Sequence, residues 1–154
     1  GRIALGWANV ETNEPADDDY DGVVSDASLF WRPGHRLSFA VSAGRDIESE
    51  SAANAGYTVS DFADVTANYA LTNAIDAELT VRSEKRDFRD PDPIISSQQS
   101  EDETTSVSLV STYQINRTFE LAVGGEWRDR DVNTGFRDYD ATIVFISLGT
   151  RIGR

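Results

Sequence analysis

The stretch Trp31–Val41, WRPGHRLSFAV, places an aromatic side chain two residues ahead of a Pro-Gly turn and follows the turn with apolar side chains at every second position. Leu37, Phe39 and Val41 stand 6, 8 and 10 residues after Trp31. The layout returns in YALTNAIDAELTV, where Ile75, Ala77 and Leu79 stand at the same offsets from Tyr69, and in YQINRTFELAV, where Phe119, Leu121 and Val123 follow Tyr113. Ahead of the aromatics, Ala27 and Leu29, Val65 and Ala67, and Val107 and Leu109 continue the same parity backwards. A period of two is the signature of strands; a helix would repeat at three and four. The other parity is small or charged, as in Ser38, Ala40, Ser42 and Gly44, or Glu78, Thr80, Arg82 and Glu84. Such a face is no ordinary dry core.

Turn chemistry sets the count. Tight reversals are expected at Pro33 and Gly34, at Thr72 to Ala74, and at Asn116 and Arg117. Longer polar connections run over 11–22, 48–56, 88–103 and 131–138, and they carry the remaining prolines and most of the acid clusters. Eight strands result, over about 2–10, 23–32, 36–47, 57–71, 75–87, 104–115, 118–130 and 139–152. Short turns at one end, long loops at the other and an even strand number describe an all-β, antiparallel, up-and-down transmembrane β-barrel.

Composition agrees with that reading and removes others. At 154 residues the chain reads as a single domain. No cysteine is present, which excludes a disulfide frame, a thiolate metal site and a catalytic thiol. The net charge of −13 argues against nucleic acid as partner. Thirteen of the 14 basic residues are arginine, the side chain that pairs flatly with carboxylates in enclosed places. No run of about 18 apolar residues exists, so a transmembrane helix is excluded, but a spanning strand shows lipid only every second side chain. No basic, apolar signal segment opens the sequence, leaving the chain mature, truncated or cytoplasmic.

In such a barrel Trp31, Tyr69 and Tyr113 form the girdle at one bilayer interface, where a ring meets lipid and its polar atom meets headgroup water, and Trp127 is placed for the opposite girdle. Leu37, Phe39, Val41, Leu79, Leu121 and Val123 are then expected to face lipid. Glu78, Arg82, Glu84 and Arg86 on one strand, with Glu120, Glu126, Arg128 and Arg130 on another, are expected to form a lumen charge network. Eight strands alone close on an interior filled by side chains, whereas a larger barrel makes the same residues a pore lining.

The hairpins SDASLFWRPGHRLSFAVSAGRDIES, DVTANYALTNAIDAELTVRSEKRDF and TTSVSLVSTYQINRTFELAVGGEWRDRD, with the closing RDYDATIVFISLGTRIG, resemble the outer-membrane beta-barrel porin family associated with bacterial exopolysaccharide and capsule systems. The resemblance covers nearly the whole chain. It rests on hairpins ending in Arg-Asp signatures, at Arg45 and Asp46, Arg86 to Phe88, and Arg128 to Asp131, and not on a catalytic motif. It implies that these strands are the C-terminal portion of a longer barrel in the Gram-negative outer membrane. Such barrels commonly end in an aromatic residue, whereas this chain ends Ile152, Gly153, Arg154, as if its end were altered or cut.

Other candidates weigh less. Asp17, Asp19 and Asp21 with Gly22 imitate the first half of a calcium loop, but the twelfth position is Ser28 and not a bidentate glutamate, so a solvated acidic loop is expected. His35, in a turn, reads as a surface residue and not a base or ligand. Asn116, Arg117 and Thr118 form a glycosylation-type triplet that reads as turn chemistry. The paired acids lack a nucleophile, cleft or oxyanion motif, so no enzyme and no cofactor are expected. The expected partners are the bilayer with its lipopolysaccharide and an exported polysaccharide or small solutes. Three classes stay open: a channel or secretion-associated barrel, a sealed structural anchor, and a soluble ligand-binding barrel with the faces reversed. Alternation alone does not say which face is inside.

Overall fold

The computed structural model describes residues 1–10, 20–50, 56–89, 101–133 and 138–150. They form eight strands: β1 (Arg2–Val10), β2 (Tyr20–Trp31), β3 (Leu37–Glu50), β4 (Gly56–Ala70), β5 (Ile75–Arg89), β6 (Glu101–Gln114), β7 (Phe119–Val132) and β8 (Tyr139–Thr150). Each pairs antiparallel with its chain neighbour, giving a single up-and-down sheet in the order β1 to β8. The expected strand count and topology therefore hold. No pairing skips a residue, so side-chain parity carries from strand to strand without a bulge.

The three tight turns are built as their residues dictate. Asn116 accepts two backbone hydrogen bonds on its Oδ1, from the amides of Thr118 at 2.8 Å and Phe119 at 3.0 Å. This is an Asx turn, so the glycosylation-type triplet is turn chemistry. Thr72 does the same more weakly: its Oγ1 accepts from the Ala74 amide at 3.1 Å. The Ala70 amide donates to the Arg36 carbonyl at 2.8 Å, tying the Pro33-Gly34 turn to its neighbour at the same end of the sheet.

At the other end several strands outrun expectation. β2 begins at Tyr20 and not at 23, β3 ends at Glu50 and not at 47, β6 begins at Glu101 and not at 104, and β7 ends at Val132 and not at 130. Polar composition suggested loop there. At β6 and β7 cross-strand charge pairs support the extension, with Lys85 on Glu101 and with Arg86 and Arg130 on Asp102. Strand β8 ends at Thr150, short of the expected 152, and 151 and 152 lie outside the described residues.

The sheet is open. β1 and β8 are its two edges and do not pair with one another, so the closure expected of a complete eight-strand barrel is not formed among the described residues. Nor is there a central dry core. Apart from Gly124 in mid-strand, the buried described residues, Tyr57 to Ser60, Asp102 and Val132, gather toward the long-loop end, while many large apolar side chains along the strands stay exposed.

Candidate functional site

The functional surface is the sheet itself, sorted into two faces by the register. Leu79 pairs with Ala67 and Leu109, Val65 with Val41 and Val81, and Val123 with Ser111 and Ile146. Directly opposed residues share a face, so these pairs join one surface across all strands. It includes all six residues expected to meet lipid, Leu37, Phe39, Val41, Leu79, Leu121 and Val123. Toward the edges its side chains are the barest of the described large apolar ones: Ile3 is 79 % exposed and Val144 78 %.

The charges on this apolar face are confined to one end. Between the tight turns and the line Arg45, Asp61, Lys85, Glu103, Asp129 and Asp140 it carries no charged side chain among the described residues. On β7 the uncharged stretch runs from Phe119 to Trp127, nine residues, and a spanning strand needs roughly 9 to 11. Beyond the line, Arg45 holds Asp61 through two hydrogen bonds of 2.6 Å, and Lys85 holds Glu101 at 2.8 Å. These ions stand at the long-loop end of the face.

The four expected girdle aromatics share this face, Trp31, Tyr69 and Tyr113 toward the turns and Trp127 toward the loops. Trp31 stacks on Phe39 with ring centroids 5.5 Å apart. A fifth escaped sequence reasoning. Trp7 lies on the same face of β1, opposite Val23, and its indole N–H donates to Asp21. No tight turn flanks β1, so the aromatic-turn pattern that marks the others is absent there.

The second face holds every residue of the expected charge network. Its pairs differ from a simple arginine-to-glutamate ladder. Arg82 bonds Glu84 at 3.2 Å and Arg128 bonds Glu126 at 2.6 Å, both two residues apart on one strand. Arg86 and Arg130 instead converge on Asp102, which is fully buried, at 3.2 and 2.5 Å. Asp102 thereby ties β5, β6 and β7 together. Glu78 makes no ion pair among the described residues, and Glu120 lies beside Gly149.

The rest of that face is hydroxyl, small or aromatic. Ser60 donates to Glu84 at 3.0 Å, Thr66 and Thr80 share a hydrogen bond at 3.1 Å, and Ser42 donates to Asp64. Two rings come close to glycines: a Cβ on Gly44 would come within 2.9 Å of Phe62, and one on Gly124 within 2.6 Å of Phe145. The Arg82 guanidinium sits 5.3 Å over the Phe62 ring. The missing Cβ atoms thus make room for the two rings.

The weaker candidates gain little. Asp21 is a strand residue paired with Asn9, not the middle of a cation-wrapping loop, and Asp17 and Asp19 lie outside the described residues. Among the described residues no three metal-ligating side chains gather. His35 is exposed in its turn.

A family model described as "Putative beta-barrel porin 2" matches residues 1–152. Comparison with curated proteins and with solved structures gives no match.

Proposed function

Since the chain belongs to this β-barrel porin family, we propose that it forms the wall of a porin-like channel in the bacterial outer membrane, with the apolar face in lipid and the polar face toward water. One observation carries the reading. Along the same span of the same strands, one face has no charge while the other holds Asp26, Asp64, Glu78, Arg82, Glu126 and Arg128. Charged side chains at mid-bilayer cost several kcal/mol when they face hydrocarbon, so the register is consistent with only one orientation in a membrane. A soluble barrel would need the apolar face turned inward, and there the polar face would be outside.

On this reading lipid tails and lipopolysaccharide contact the apolar face, its aromatics anchor at the two interfaces, and small solutes pass along the other. The role of the charged face on this reading is passage. Passage of an exported polysaccharide is the finer form of the proposal, and its support is the hairpin resemblance alone.

Two measurements test the reading. The full-length gene product should leave the membrane fraction only with detergent. After reconstitution into planar bilayers it should give steady ion conductance. Extraction by salt or alkali alone sinks the membrane assignment, and a folded, inserted protein that does not conduct sinks the channel.

A further inference from the structure

We infer that the wall selects for cations. The inference rests on the channel reading and follows from which charges on the polar face are already neutralised. Five arginines lie on that face, Arg2, Arg82, Arg86, Arg128 and Arg130. The four on β5 and β7 are all engaged: Glu84, Glu126 and Asp102 hold them at 2.5–3.2 Å. Two are pinned further by rings, Arg82 over Phe62 and Arg86 over Phe88. Three carboxylates against four guanidiniums leave this cluster at +1.

Outside it stand six carboxylates, Asp26, Asp46, Asp64, Asp76, Glu78 and Glu120, against Arg2 alone. Among the described side chains the face therefore holds nine negative and five positive charges, a balance of −4. Asp26, Asp46, Asp64, Asp76 and Glu78 have no ion-pair partner among the described residues, and Asp64 receives a neutral hydroxyl from Ser42. Arg32, Arg36 and Arg117 sit in the tight turns, exposed at the rim, where water and salt screen them most strongly. Three acids, Asp26, Asp64 and Glu78, lie within the span on three strands.

No three of these carboxylates converge. They make a spread field and not a binding site. A low-dielectric wall focuses such a field into the water path, raising the local concentration of cations and lowering that of anions. The four arginines of β5 and β7 cannot answer it in kind, because a carboxylate already holds each of them.

The experiment is the reversal potential of the reconstituted full-length protein in a potassium chloride gradient. The expected result is preference for potassium over chloride, strongest near 0.1 M salt and weaker near 1 M, where the screening length falls from about 10 to about 3 Å. Neutralising Asp26→Asn, Asp64→Asn and Glu78→Gln together should at least halve that preference, while Glu103→Gln, on the lipid face, should leave it unchanged. Should the triple variant fail to insert, Glu78→Gln alone serves, since it breaks no ion pair. Conductance without cation preference, or a preference untouched by these substitutions, overturns the inference and leaves the channel standing. Absence of conductance from folded, inserted protein removes the channel and the inference with it.

Discussion

Replacing Leu109 by arginine separates the two orientations of the sheet, because its chain neighbour Val110 supplies the control. Leu109 lies on the apolar face of β6, four residues from Tyr113 at one end of the uncharged span and six from Glu103 beyond the other, and it is 56 % exposed. In lipid that position is near the midplane, where an outward arginine costs about 2–4 kcal/mol. In water the same exposed leucine tolerates arginine within about 0.5 kcal/mol. Leu121 pairs with Tyr113, at the girdle, so the same substitution there should cost only about 0–1 kcal/mol. Val110 faces the other way, opposite Glu78, and its arginine would meet a free carboxylate in water. Equilibrium denaturant unfolding from lipid vesicles, followed by tryptophan fluorescence, reads all three. A cost for Leu109→Arg below about 0.5 kcal/mol, or one for Val110→Arg that equals it, refutes the assignment of faces.

Asp102→Asn should destabilise by about 2 kcal/mol in the same assay, below the 3–5 typical of a broken buried pair because Arg86 and Arg130 remain 37 % and 23 % exposed. Substituting Arg130→Met as well should recover part of that loss, since one stranded guanidinium is then gone. Asn116→Ala removes the acceptor of two turn amides and should cost about 1 kcal/mol, with faster hydrogen exchange at Thr118 and Phe119. Gly124→Ala places a methyl 2.6 Å from the Phe145 ring and should cost about 1–3 kcal/mol in unfolding, relieved by Phe145→Ala.

Parity was legible in the sequence; offset was not. All six residues from Leu37 to Val123 expected to share a face do so, because a strand has only two faces and alternation names the members of each. Which acid meets which arginine depends on how far one strand slides along the next, and a slide of two residues preserves parity. Hence Arg86 and Arg130 find Asp102 and not Glu78 or Glu120. Asp102 itself was hidden in the polar run Glu101 to Glu103, which reads as loop and folds as the start of β6. Trp7 was hidden for a different reason: its partner strand is reached through a long connection, so no turn signal flags it.

The edges link strand number to conduction. An edge in hydrocarbon exposes backbone N–H and C=O groups at several kcal/mol each, so β1 and β8 must each have a partner in the membrane. Neither carries a proline or a mid-strand charge that would discourage pairing. On their polar-face parity both are apolar in mid-strand: beyond Arg2, β1 offers Ala4, Gly6 and Ala8, and ahead of Ser147, β8 offers Ile143 and Phe145. Set side by side, small and large would complement each other in volume. That seam would close eight strands on an interior only wide enough for side chains, and the arginine cluster would fill it. A water path needs more strands between β1 and β8, and then the same arginines become part of a wall. Steady conductance therefore reports strands beyond these eight, while a folded and inserted protein that stays silent reports a β1–β8 seam.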